Sequence, residues 1–115
     1  MADCLFCRIV SGDIPARIVK RSDEVLAFQD IDAKAPVHVL VIPTAHVAAV
    51  RNAKGAEGER LLGRLLAFAA EVASELGLDG GGYRIVTNTG KNAGQSVDHL
   101  HLHVMGGRKM TWPPG

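Results

Sequence analysis

The run HLHLHV, His99–Val104, alternates imidazole and aliphatic side chains with a period of two. A helix would scatter these residues around its axis. A strand sends successive side chains to opposite faces. The pattern therefore predicts a strand over "VDHLHLHVMGG" with His99, His101 and His103 on one face, about 7 Å apart. Leu100, Leu102 and Val104 then share the other face and must be buried. A strand with one apolar face needs a second layer to cover it.

The cover is legible upstream. In "EGERLLGRLLAFAAEVASELG", Leu61, Leu65, Phe68, Val72 and Leu76 recur at helical spacing, and Leu62, Leu66, Ala69 and Ala73 widen the stripe. The spacing predicts a helix from about Glu57 to Leu76, closed by Gly77. "CLFCRIVSG" reads as a short helix ended by Gly12. "ARIVKRSDEVLAFQD" reads as two strands about a turn near Arg21–Asp23, "HVLVIPTAH" as a buried strand, and "YRIVTNTG" as a fourth strand before the histidine run. The order predicts an α+β fold: an antiparallel sheet of about five strands, one long helix packed on it and a short N-terminal helix.

The 115 residues suit one domain, 1–115, and 47% apolar content is enough for a core. Thirteen basic residues against twelve acidic ones leave no basic block for nucleic acid. No run approaches the roughly twenty apolar residues of a membrane span. "MADCLFCRIVSGD" has no long apolar secretory core, so the expected compartment is the cytoplasm.

Three of the five histidines share the stripe. Neighbouring imidazoles cannot all be charged cheaply, so most are expected neutral at pH 7. A neutral imidazole is a nucleophile, a general base or a metal ligand; a plain polar face is the remaining reading. Just before the stripe, "NTGKNAGQS" carries Gly90, Gly94 and Ser96. Such a loop can cradle an anion, though most are only turns. Cys4 and Cys7, spaced C-x-x-C, form half of a metal site or a redox pair.

The residues together resemble the histidine triad family, whose motif is His-φ-His-φ-His-φ-φ with φ apolar. The likeness extends through "CLFCRIVSGDIPA", "VLAFQDIDAKAPVHVLVIPTAH" and "GYRIVTNTGKNAGQSVDHLHLHVMGGRKMTWPPG", and is weakest at "VRNAKGAEGER". The ending "GGRKMTWPPG" is similar to the nucleotide-binding branch of that family. The resemblance implies the HIT-like fold and a homodimer whose sheets join into one. It implies hydrolysis of purine nucleoside phosphoramidates, with AMP or GMP leaving an amine and with no cofactor needed for the chemistry. His101 would attack the phosphorus, steadied by the main-chain carbonyl of His99. His103 and Ser96 would contact phosphate or leaving group, and His38 would stand beside the triad.

The same resemblance implies a nucleotide site. Phe28 and Ile31 would sandwich the base, Asp30 would hold the ribose with help from Asp32, and Asn88, Gly94, Gln95, Ser96, His101 and His103 would line the rest. Read without the resemblance, Phe28 is plain core and Asp30 and Asp32 are turn formers. Trp112 would lie near a partner's site, or simply pin the tail. Some relatives bind zinc through positions matching Cys4, Cys7, His46 and His99, a tetrahedral set; two reduced thiols packed as small apolar groups are the alternative. Asp98 departs from the aromatic residue many relatives carry there. Other readings are a dinucleoside polyphosphate hydrolase and a nucleotide-binding regulatory protein with little catalysis.

Overall fold

A computed structural model describes residues 3–115; Met1 and Ala2, the first residues of the expected 1–115 domain, lie outside the described residues. Helix α1 spans Leu5–Ser11, with Cys4 at its N-cap and Gly12 closing it. Strands β1 (Ile18–Arg21), β2 (Val25–Gln29) and β3 (Val37–Pro43) follow, then helix α2 (Gly55–Glu75), β4 (Tyr83–Val86) and β5 (Leu102–Gly106). All neighbouring strands are antiparallel, in the order β1-β2-β3-β5-β4. This is the α+β sheet that the alternation predicts. Among the described residues no helix is long and apolar enough to cross a membrane.

Strand period two divides the core in half. Val25, Ala27, Val39, Val41, Leu102 and Val104 face α2 and meet Leu65, Phe68, Ala69, Val72 and Ala73. Each valine, leucine or phenylalanine among them contributes about 1.5–3 kcal/mol on full burial. Leu26, Phe28, Leu40 and Ile42 face the other way and pack on Phe6 and Ile9 of α1. The expected helical stripe is narrower than its sequence: Leu66 and Leu76 stay exposed. The helix also runs Gly55–Glu75 rather than Glu57–Leu76.

The last strand departs from expectation more usefully. Only Leu102–Gly106 joins the ladder; Val97–His101 runs beside the sheet without forming strand. The backbone there bonds elsewhere. The Leu100 N–H donates to the Val47 carbonyl at 2.6 Å, and the His101 carbonyl accepts the Thr87 hydroxyl at 2.9 Å. The alternation of burial nonetheless persists, with Leu100 in the α2-side core. Leaving the ladder frees the His99 carbonyl for a side chain.

Candidate active site

His101 is 3% exposed, and its Nδ1 lies 2.7 Å from the His99 carbonyl. A carbonyl only accepts, so Nδ1 carries the proton and donates. The lone pair of the neutral ring is then on Nε2. The expected steadying contact is in place.

Its surroundings are largely aromatic rings. Phe6 of α1 stands edge-on to the rings of His101, His99 and Phe28, at centroid distances of 5.2, 5.8 and 5.5 Å. This residue is missed by sequence reasoning, because an apolar residue in a short helix signals only burial. The His103 ring lies 5.1 Å from that of His101. Its pKa is pushed down to about 4 by burial, then by His101 and His38, against the pull of Asp30. It is neutral at pH 7.

His38, on β3, lies opposite Met105, two residues along the ladder from the Leu40–His103 pair and so on the same face. Its Nε2 is 2.9 Å from His103 Nδ1 and 3.3 Å from an Asp30 carboxylate oxygen. Burial lowers its pKa too, outweighing the pull of Asp30. Asp30 stands 4.0 Å from His103 Nδ1. Its other oxygen accepts the Asp32 N–H at 2.8 Å, so Asp30 also shapes the turn after β2. Asp32 is exposed and paired with Lys34.

The remaining expected residues are placed unequally. Phe28 is 4% exposed and belongs to the α1-side core, whereas Ile31 is fully exposed. The structure does not bring them face to face. Ile31 and Asp30 instead line a cleft of about 530 Å³ with Pro15, Arg17 and Gln29. Asn88 is half-buried just after β4. In the glycine loop, Gly90 and Gly94 adopt φ of 84° and 81°, a region open chiefly to glycine. Gln95 braces that loop with both ends of its amide: its oxygen accepts the Gly90 N–H, and its nitrogen donates to the carbonyls of Ala48 and Val97. Its side chain is thus committed to the loop. Ser96 is exposed and lines a cleft of about 690 Å³ with Asp3, His46 and Asp98. Trp112 is exposed.

The C-x-x-C pair meets its expected partners. Cys4 Sγ is 3.3 Å from His99 Nδ1, and Cys7 Sγ is 3.4 Å from His46 Nδ1 and 3.5 Å from His99 Nδ1. All four ligand atoms lie within 4.8 Å of one another. Bond lengths of about 2.3 Å to sulfur and 2.0–2.1 Å to nitrogen in a tetrahedron require N···S edges near 3.5 Å. The set fits zinc. His99 Nε2 donates to the Pro43 carbonyl at 2.8 Å, which leaves Nδ1 as the lone pair facing the sulfurs. Burial, then the neighbouring Cys4, raises the Cys7 thiol pKa. His99 thus serves two sites, its ring at the cysteines and its carbonyl at His101.

A profile described as the HIT domain matches residues 11–110. An uncharacterised HIT-like protein of Synechocystis is 48% identical over 113 residues, covering 98% of this chain and 97% of that protein. Among solved structures, a HIT family hydrolase from Legionella pneumophila superposes with a TM-score of 0.94 at 45% identity, covering 98% of this chain and all of that one. A histidine triad protein from Clostridium difficile gives 0.92 at 36% identity, with 96% of each chain covered. Sequence, fold and the triad geometry agree, and the chain belongs to the HIT-domain family.

Proposed function

We propose that this chain is a hydrolase of purine nucleoside phosphoramidates that works through a nucleotidyl-histidine intermediate at His101. The observation that carries this reading is the 2.7 Å bond from His101 Nδ1 to the His99 carbonyl. It holds the ring in the tautomer whose Nε2 is free to attack. The Legionella structure, a HIT family hydrolase, supports hydrolysis as the reaction class.

In the first step His101 Nε2 bonds to the α-phosphorus and the phosphorus–nitrogen bond breaks. The departing nitrogen takes up a proton from solvent and leaves as the neutral amine, while His103 or Ser96 donates a hydrogen bond to it or to the phosphate oxygens. In the second step water attacks phosphorus, its proton passes to solvent, and the bond to Nε2 breaks to release AMP or GMP. Splitting one displacement into two is covalent catalysis. The loop N–H groups shaped by Gly90 and Gly94 supply donors to the phosphoryl oxygens as charge grows there.

The zinc set is read as structural. Cys4, Cys7, His46 and His99 would hold the ion in a closed shell that ties α1 to the strand ends and leaves no position for substrate. The homodimer would form at β4, which among the described residues pairs only with β5 and presents its other edge unpaired. Cytoplasmic residence completes the reading and accords with two reduced thiols.

The test is to incubate the protein with an AMP–amine phosphoramidate, follow AMP release, and look by mass spectrometry for a nucleotidyl adduct after rapid quench. Activity with an adduct on the peptide containing His101 supports the proposal. Activity surviving in His101→Ala refutes the nucleophile. Cleavage of dinucleoside polyphosphates in preference to phosphoramidates refutes the substrate class.

A further inference from the structure

The nucleophile stands where the sheet stops. Strand β5 pairs with β3 as far as Val41–Leu102 and with β4 as far as Val86–His103, and neither ladder reaches His101. Continuing the β4 register would set Asn88 opposite His101. Backbone groups that leave a ladder inside a protein need other partners. Three bonds supply them here. The Gln95 amide donates to the Val97 carbonyl at 3.1 Å, the Leu100 N–H donates to the Val47 carbonyl at 2.6 Å, and the Thr87 hydroxyl donates to the His101 carbonyl at 2.9 Å. The first two hold the segment ahead of the nucleophile. The third reaches the nucleophile's own residue.

We propose that Thr87 is a positioning residue: its hydroxyl takes over where the ladder ends and fixes the main chain of His101, and through it the place of Nε2. Ring and main chain are then held at separate points. The ring is tied through Nδ1 to the His99 carbonyl at 2.7 Å, which sets its rotation. That bond lies within one segment and would travel with it if the segment slid. The Thr87 bond starts from the end of β4, so it fixes the segment against the sheet.

Threonine suits the task. Its branched β-carbon leaves χ1 few choices, so the hydroxyl keeps its direction without help from packing. This matters because Thr87 is otherwise exposed, while His101 is buried. A water in the hydroxyl's place would satisfy the carbonyl but would be tethered to no strand. The kinetic consequence rests on the phosphoramidate reading; the contact itself does not.

The experiment uses the full chain, labelled with carbon-13 and nitrogen-15, as parent, Thr87→Val and Thr87→Ser. In the parent, three-bond couplings are expected to show a single Thr87 χ1 rotamer. Thr87→Val keeps the shape and removes the hydroxyl. Its His101 carbonyl carbon and Nδ1–H signals are expected to shift, with those of Phe68, on the other face of the sheet, unmoved. Phosphoramidate kcat is expected to fall about tenfold with KM within about twofold, since a small displacement of the reacting nitrogen is costly while substrate contacts are untouched. Thr87→Ser returns a hydroxyl and is expected to recover most of the rate and the parental signals. A parent Thr87 that averages over rotamers overturns the proposal. So does Thr87→Val with parental kcat, or with a loss confined to KM or to the thermal midpoint. Signals that shift and recover as expected, in a protein that hydrolyses no phosphoramidate, leave the positioning role standing and sink the proposed function instead.

Discussion

The face of the sheet under α2 and the face under α1 come from the same strands, one residue out of step. Under α2 every buried strand residue is apolar, and twenty-one residues of helix cover it. Under α1 the cover is seven residues long, and His38 and His103 share the surface with Leu40 and Ile42. Burial on the first face needs only volume and shape. Burial on the second also needs a hydrogen-bond partner for each imidazole nitrogen it encloses, since an unpaired buried polar group costs about 1–3 kcal/mol. Among the described residues no buried side-chain nitrogen or oxygen lacks a partner. One face therefore holds the protein together, while the other spends part of its packing on orienting rings.

The largest expected effect tests that division at the nucleophile. His101→Asn keeps a donor able to reach the His99 carbonyl but has no ring nitrogen to attack with. Its phosphoramidase activity is expected to fall by about 10⁴-fold or more with little change in thermal midpoint, as assays of AMP release and calorimetry would show. A variant that kept a tenth of the activity would end the assignment.

Two phenylalanines then separate the faces. Phe68, fully buried in α2 beneath Lys20 and Arg64, is core alone. Phe68→Ala is expected to cost about 3–5 kcal/mol in denaturant unfolding, with kcat of the folded protein nearly intact. Phe6→Ala removes the ring lying on His99 and His101 and is expected to lower kcat about ten- to a hundredfold, since small misplacements of a reacting group are expensive. Equal kinetic effects from the two would erase the distinction.

Acid should probe the histidine face selectively. The folded-state pKa of His103 is about 4, and that of His38 is lowered as well. Above the ordinary histidine value of about 6.5 both folded and unfolded chains hold these rings neutral, so they impose no cost. As pH falls from about 6.5 toward 4, the unfolded chain takes up protons first and stability declines. Thermal midpoints measured across that window should fall, and His103→Gln should flatten the slope. The smallest expected effect on rate comes from chelation. EDTA should strip a stoichiometric zinc and lower the thermal midpoint while leaving turnover largely unchanged; rapid, complete loss of activity would place the metal in the chemistry.

The reasons some of this was readable in advance, and some not, lie in particular residues. Period-two alternation at His99–Val104 and period-3.6 spacing from Leu61 to Val72 report a local geometry, so the sheet and its covering helix are visible in the order of side chains. The Cys4, Cys7, His46 and His99 grouping became legible only through resemblance, because nothing local says that residues 4 and 99 meet. Phe28 and Ile31 sit near each other in the chain, yet one is buried and the other is bare. The turn at Asp30–Asp32 swings Ile31 outward, and a turn's exit direction depends on what packs against it. Gln95, expected at the nucleotide, spends its amide on the loop itself.

By itself the sequence determined the alternation, the amphipathic helix and the supply of imidazoles and thiols, since each is a property of neighbours along the chain. Only the tertiary structure decided which nitrogen of each ring holds a proton. That choice belongs to the carbonyls of His99 and Pro43 and the N–H of Lys34. Backbone groups look alike in every sequence, and only folding aims them.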